Sequence, residues 1–474
     1  MTVRRQWLAL WVVVGSYVAG YLLWPPRALS VSDEGVYLTQ ALVFSHGRKW
    51  LEVFDPLSGN HRFMLPSNYP VGTSLLQAPW VAALGWRYGA LASALALCGS
   101  VVLLARWLER TRLPPLFALL LVSYPAGLVQ GRIGMSDTPS LLVCTAGLTL
   151  FFGASRAAWL GSGFLAGASL LFRDTNPLVF APLFLGCLLR RDPRTRYLVV
   201  GGILGSALRP ISTVWLFDDP FLVHSGYGFA PDLIPKNAAL YLASLLILVP
   251  GGLLAVATHR GPRRWEIQST VALFVAVYCF YGYAAWQSSW AKQLILGPRY
   301  LLPLLPLVIY CLAERWSDWS RSTPALEKGR NALLAAFALG CGILAIAVHP
   351  VLDRWLGSQA EVVARIYAHG SAGTTLVIDT SGVGKYVSPI YGDRTVLGLE
   401  QVVPSDVRTV LSRSPHGAWI VIVERTESVY WERFNEQLRG YVDAVEDHCS
   451  LDMQEDFHAP DGSRLRMWKV ESCW

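Results

Sequence analysis

The amino-acid sequence predicts a polytopic α-helical membrane protein of about eleven transmembrane helices with a small C-terminal α/β soluble domain, and three observations predict it. Hydrophobic residues fill 53% of the 474 positions and charged residues only 15%, more apolar surface than one soluble core encloses. Apolar runs of roughly 18 residues recur along the first three quarters of the chain, each long enough to cross a hydrocarbon core of about 30 Å as a helix. The runs are continuous rather than alternating, which favours helices over barrel strands. Arg and Lys cluster in alternate connectors, so the net charge of +7 reads as membrane topology and not as a nucleic-acid surface.

Arg4-Arg5 precede an apolar run from Trp7 to Trp24 with no small-residue cleavage site after it, so this is read as a retained first span entering from the cytosol. Pro25 to Pro70 is polar and aromatic, too long for a simple connector, and is predicted to be a structured outer loop. Tyr69 to Leu84 is expected as a helix near the outer interface, followed by a full span from Tyr88 to Trp107. Further spans are expected near Pro114 to Gln130, Pro139 to Ala154, Ala158 to Phe172, Leu178 to Leu189, Tyr197 to Leu216, Leu240 to Thr258, Ser269 to Ala285, Leu301 to Glu314 and Ala332 to Val348.

The connector clusters Arg190/Arg191/Arg194/Arg196, Arg260/Arg263/Arg264 and Arg315/Arg321/Lys328/Arg330 then all fall on the cytosolic side. Residues 1–349 accordingly form a transmembrane domain carrying the outer loop 25–70, and residues 350–474 a non-cytosolic domain. In that domain strand-like runs (Thr374 to Ile378, Trp419 to Val423, Arg464 to Val470) alternate with helical patterns (Ala360 to His369, Val429 to Leu438). Gly382-Val383-Gly384 after Asp379 is read as a turn rather than a nucleotide-binding fingerprint.

Six cysteines lie in apolar runs and behave there as small hydrophobes, with no zinc-ligand spacing. Cys449 and Cys473 differ: they flank two segments that fold back about Asp461-Gly462, a hairpin signal, and are placed either to bond or to remain thiols.

Chemistry concentrates on the outward connectors. Ser32-Asp33-Glu34-Gly35-Val36-Tyr37 puts two adjacent acids just after the first span. A partly desolvated aspartate there can take a proton from an attacking hydroxyl; the same residues can equally cap a helix running from Tyr37 to His46. Outward arginines at span ends suit a lipid phosphate through paired charge-assisted hydrogen bonds, or alternatively snorkel to headgroups. Arg173, Arg299 and Arg209 are the candidates, Arg209 because a cation inside an apolar run normally faces a cavity or a partner. Arg132 and Asp137 mark another outward connector, where Ser136 or Asp137 is expected to cap the next helix. Lys292, His224, Asp218 and Asp219 are also read as outward; two neighbouring acids do not make a metal site, and no divalent metal or other cofactor is predicted.

The acidic pair, the segment Tyr69-Pro70-Val71-Gly72 and the segment Gly297-Pro298-Arg299-Tyr300-Leu301-Leu302-Pro303 together resemble the bacterial branch of GT-C glycosyltransferases related to protein O-mannosyltransferases and aminoarabinose transferases, over about Val31 to Pro306. The resemblance implies an inverting transferase that takes a sugar from a polyprenyl-phosphate donor at the outer face of a bacterial inner membrane and gives it to a protein, glycan or lipid acceptor. It implies Asp33 as catalytic base and Glu34 beside the acceptor; their charge puts Arg299, Arg173 and Arg209 at the donor phosphate, and Tyr37, Tyr69, Pro70 and Tyr300 are assigned to the substrate pocket. The chain departs from the family at Tyr69-Pro70-Val71, where mannosyltransferases carry His-Pro-Pro and aminoarabinose enzymes Lys-Pro-Pro, so the resemblance does not fix the sugar. A transporter or flippase of a lipid-linked glycan is the alternative, although its signature of matched broken helices with mid-membrane charges is not what this sequence displays.

Overall fold

The computed structural model of the protein describes residues 1–64, 69–220, 228–261, 263–281, 293–294, 297–323, 327–355, 357–369, 373–379, 394–424 and 429–474. Lys292, His224 and Gly382-Val383-Gly384 lie outside the described residues. The chain divides into two compact units: Met1–Pro25 with Asn68–Gln77 and Ala90–Pro350, and Pro26–Ser67 with Ala78–Gly89 and Val351–Trp474. The outer-loop residues thus group with the C-terminal segment and not with the helix that precedes them, while the helix that follows divides between the units at Gln77 and Ala78.

In chain order the longer helices are α1 Val3–Leu23, α2 Ser32–Ser45, α3 Gly72–Leu84, α4 Leu91–Arg110, α5 Asp137–Phe151, α6 Arg156–Ala168, α7 Ala181–Leu189, α8 Thr195–Ser206, α9 Leu208–Phe217, α10 Ile234–Leu248, α11 Arg264–Cys279, α12 Leu305–Ser322, α13 Glu327–Trp355, α14 Gly357–Ala368, α15 Val407–Arg413 and α16 Val429–Glu446. The strands are β1 Leu51–Asp55, β2 Asn60–Met64, β3 Thr375–Ile378, β4 Thr395–Gly398, β5 Ala418–Glu424, β6 Cys449–His458 and β7 Arg464–Cys473.

Among the described residues four helical stretches are long and apolar enough to cross a bilayer unaided: Val3–Leu23, Trp86–Arg110, Thr195–Phe217 and Gly329–Trp355. Other apolar runs are broken, and prolines or glycines mark the breaks. The run expected to be one span from Pro114 to Gln130 is instead a 3-10 turn at Pro115–Leu119 and two short helices, Leu120–Ser123 and Pro125–Gln130. Pro115 and Pro125 each open a new segment, where a missing N–H costs nothing. The run from Leu240 to Thr258 breaks after α10, where Gly251 takes the left-handed conformation at φ 79° and starts a second short helix.

Within the first unit α6 and α8 pack with backbones nearly touching. A Cβ at Gly163 would lie 2.2 Å from the Leu198 carbonyl oxygen, and one at Gly201 would lie 2.1 Å from that of Leu160. Gly167 and Gly205 repeat the arrangement one turn on. Lipid supplies no hydrophobic drive between helices, so such small-residue seams hold them by close van der Waals contact.

The second unit contains a five-stranded sheet of order β4-β3-β5-β7-β6, parallel among β4, β3 and β5 and antiparallel through β7 and β6. Every residue of β5 is buried, because apolar layers cover both faces. Leu438, Val442 and Val445 of α16 pack with Ile420 and Ile422; Val362, Val363 and Ile366 of α14 pack with Trp419, Val421 and Val423. The hairpin expected about Asp461-Gly462 joins β6 to β7, with Gly462 at φ 85°, and brings Cys449 opposite Cys473 as a disulfide. An antiparallel hairpin of β1 and β2 lies in the outer loop, where no strand was expected. Arg413 of α15 donates to the carbonyl oxygens of Pro56 and Leu57, and Leu57 packs against the sheet core, which fastens this hairpin's turn within the second unit.

Candidate functional site

Asp137 opens α5 and is fully buried, so its carboxylate depends on whatever cations the fold delivers. Two arrive. Arg173 Nη2 donates to Asp137 Oδ1 at 2.7 Å, and Arg299 Nε stands 4.0 Å from the same oxygen. Arg173 Nε also donates to Ser136 Oγ at 3.1 Å. Arg173 Nη1 and Asp137 Oδ2 make no hydrogen bond among the described residues. Ser136 or Asp137 is the helix cap expected from sequence; Ser136 takes the N-cap position without a side-chain capping bond, and Asp137 is the shared counter-ion of the two arginines put forward for a phosphate.

Local structure fixes each partner. The chain leaves α6 through a 3-10 turn at Ser169–Leu171, and Arg173 N–H bonds the Ser169 carbonyl at 3.1 Å. Asn176 Nδ2 then donates to Ser140 Oγ and to the Ser169 carbonyl, tying this connector to α5. Arg299 sits in a buried 3-10 segment, Gly297–Leu304, in which Pro298 and Pro303 deny the backbone two donors. Tyr124 Oη donates to the Pro298 carbonyl at 3.3 Å and holds that segment.

Aromatic rings complete the cluster. Both guanidinium carbons lie over the Tyr300 ring, Arg173 at 5.0 Å and Arg299 at 5.1 Å from its centroid. Tyr278 stacks on Tyr300 at 5.0 Å, Tyr281 meets it edge-on, and Thr175 Oγ1 bonds Tyr278 Oη at 2.5 Å. Among the described residues the cluster thus sets two cations against one buried carboxylate, an arrangement suited to an anion.

The remaining candidates of the first unit gather near the same connectors. Tyr69 is half-buried and Pro70 buried at the turn into α3. Gly72 follows because a Cβ there would lie 2.6 Å from the Leu171 carbonyl oxygen and 2.9 Å from the Phe172 ring, so the Tyr-Pro-x-Gly turn packs directly on the segment leading to Arg173. Gln77 Nε2 bonds the Gly134 carbonyl at 2.9 Å, fastening α3 to the connector before Asp137. Arg209 lies at the start of α9, just after α8 ends, with Nε 3.7 Å from Asp174 Oδ1. Its pairing acid is therefore the neighbour of Arg173. Arg132 is buried away from these, donating to the Trp24 carbonyl and to His349 Nδ1 at 3.2 Å. A guanidinium only donates, so His349 accepts through Nδ1 and gives its Nε2 proton to the Tyr17 carbonyl at 2.9 Å. That contact clamps α1 to α13.

Asp33, Glu34 and Tyr37 belong to the second unit, on the first turns of α2. The N-cap is Val31, whose side chain cannot cap, so the expectation that Ser32 or Asp33 fills that position is corrected. Glu34 does the work instead: 1% exposed, it reaches back with Oε2 to the Ser30 N–H at 2.7 Å. Asp33 is half-buried beside it and Tyr37 is buried one turn on. Among the described residues no three His, Cys, Asp or Glu side chains gather as a metal site.

Sequence reasoning missed Tyr278, Tyr281, Thr175 and His349. Their only signal was polar or aromatic residues at the ends of apolar runs.

No protein-family model and no curated protein matches the chain. Solved structures do: a crystal structure of ArnT from Cupriavidus metallidurans bound to undecaprenyl phosphate aligns over 98% of this chain and 98% of that one, at 12% identity and a TM-score of 0.64. The same protein in its apo state aligns over the same shares at 14% identity and a TM-score of 0.63. Over nearly its whole length, then, this chain shares the fold of ArnT.

Proposed function

We propose that the protein is a membrane glycosyltransferase that moves a sugar from a polyprenyl-phosphate carrier to an acceptor hydroxyl at the non-cytosolic face of the membrane, with inversion at the anomeric carbon. The observation that carries this reading is the fold shared over the whole chain with a protein crystallised with undecaprenyl phosphate. The shorter helices are read as further crossings, about eleven in all.

In this reading Arg173 and Arg299 hold the donor phosphate. Asp137 and Tyr300 fix both guanidinium groups beforehand, so little reorganisation is needed when an anion arrives. Arg209, paired only at 3.7 Å, supplies a third cation at the edge of the same connector. Asp33 takes the acceptor's proton as its oxygen attacks the anomeric carbon. The new carbon–oxygen bond forms as the bond to phosphate oxygen breaks, and that electron pair leaves on the phosphate. Attack from the face opposite the leaving group inverts the centre. Glu34 holds the start of α2 through Ser30, which places Asp33. Tyr69, Pro70 and Tyr300 line the sugar's surroundings.

The donor is a hexose or pentose. Tyr69-Pro70-Val71, in place of the lysine-containing turn, argues against aminoarabinose. The Cys449–Cys473 bond supports a C-terminal domain in an oxidising compartment, with the N-terminus in the cytosol of a bacterial inner-membrane protein. The test is Asp33→Asn in purified protein: transfer from a polyprenyl-linked sugar is lost, and near-normal turnover would overturn the assignment.

A further inference from the structure

A second basic site lies at the far end of α7 from the Arg173 connector, about 20 Å away along the helix run that begins at Asn176. There the end of α7 and the first turns of α8 enclose an open groove of about 690 Å³. One wall is Leu188, Val199 and Val200, each more than half exposed. The rim is Arg191, Thr195 and Arg196.

Charge in the groove is unbalanced. Its one acid, Asp192, is already committed to Arg263 at 3.0 Å and to Arg194 at 3.6 Å, and Arg190 is committed to Glu266 at 2.6 Å. Arg191 and Arg196 make no ion pair among the described residues, and Arg196 only lies over the Tyr197 ring. Thr195 Oγ1 is buried at the N-terminus of the twelve-residue α8 without a hydrogen-bond partner among the described residues. Two cations, an unpartnered hydroxyl and the positive end of a helix thus meet at the rim of an apolar groove.

Backbone geometry singles out Arg191. It takes φ 53° at the close of α7, where Arg191 N–H bonds the Leu188 carbonyl and Asp192 N–H bonds that of Cys187. This is the position that glycine prefers. Arg112 repeats the pattern after α4 at φ 60°. An arginine stands in glycine's place twice, with a cation kept where the backbone disfavours any side chain.

We propose that this groove binds an anionic phospholipid, with its phosphate between Arg191 and Arg196, bonded by the Thr195 hydroxyl, and one acyl chain along Leu188, Val199 and Val200. A soluble anion would leave the apolar wall without an occupant, whereas a lipid uses both halves.

The test is native mass spectrometry of the full-length protein in detergent, titrated with phosphatidylglycerol, with phosphatidylcholine and with inorganic phosphate. Phosphatidylglycerol should bind at least tenfold more tightly than phosphatidylcholine, and Arg196→Ala together with Arg191→Gly should abolish the preference. Arg191→Gly alone suits the left-handed backbone, so it should melt no lower than the parent while still losing lipid, which separates lost binding from misfolding. Equal retention of phosphatidylglycerol by the variants would overturn the proposal, as would competition by inorganic phosphate at equal concentration or a dimer held through this face.

Discussion

Arg173→Met removes the cation nearest the buried Asp137 carboxylate, and the distances set the size of the loss. Unit charges at 2.7 Å and at 4.0 Å attract by about 6 and about 4 kcal/mol at an effective dielectric of roughly 20. Arg173 therefore carries the larger share, and Arg299 is what holds the carboxylate once it is gone. Truncating one partner of a buried pair costs about 3–5 kcal/mol, and the remaining arginine keeps the methionine variant near about 3. Arg299→Met should cost less. Arg173→Lys keeps the charge but loses the Nε bond to Ser136 and the fork geometry, so stability returns while transfer stays about 100-fold down. Thermal unfolding in detergent by tryptophan fluorescence, alongside transfer from a labelled polyprenyl-phosphate sugar, reads both effects. The expected melting order is parent and Arg173→Lys, then Arg299→Met, then Arg173→Met, with Asp137→Asn recovering part of the loss in the Arg173→Met background. An Arg173→Met protein as stable as the parent would refute the counter-ion argument, and full transfer by Arg173→Lys would refute the phosphate role.

Three further outcomes follow from the same structure. Gly201→Val should destabilise the chain by about 1–3 kcal/mol, since a Cβ has no room beside Leu160, whereas Gly340→Ala, with nothing within 4 Å, should raise the melting point slightly; equal effects would contradict the glycine seam. Cys449→Ser with Cys473→Ser should lower the stability of the second unit by about 3 kcal/mol for a separation of 24 residues, measured by limited proteolysis across a denaturant series, and an unchanged midpoint would count against it. Burial raises the Glu455 pKa, but hydrogen bonds from Arg365 and His369 outweigh it and hold the carboxyl below its usual range. Its contribution is thus complete above about pH 4.3 and disappears as the pH falls through the lower folded value, so Glu455→Gln should flatten the acid limb of the unfolding profile.

Some of this could be read directly from residue order. The apolar runs that became α1, α4 and α13 needed only length and composition, because a helix satisfies its own backbone in lipid. Asp461-Gly462 sufficed for the β6–β7 hairpin, since the turn needs a left-handed residue that glycine supplies locally. Arg209 was flagged by the cost of an apolar setting, and the structure supplies its partner, Asp174. Sequence reading could not see that the stretch from Pro114 to Gln130 is broken into a 3-10 turn and two short helices, because hydropathy sums over a window while prolines act at single peptide bonds.

The glycines of α6 and α8 look ordinary until the two helices are laid against each other, for a clearance of about 2 Å belongs to the pair and to neither sequence. Asp137 reads as a helix cap by the same logic, because capping is a local property while its cations come from 36 positions away and from beyond α11. The sequence by itself determined which segments need lipid and which residues can carry charge, since solvation and ionisation are properties of each side chain. Only the tertiary structure decided which charges share a buried site, because Coulomb energy depends on distance, and distance is set by how the helices pack.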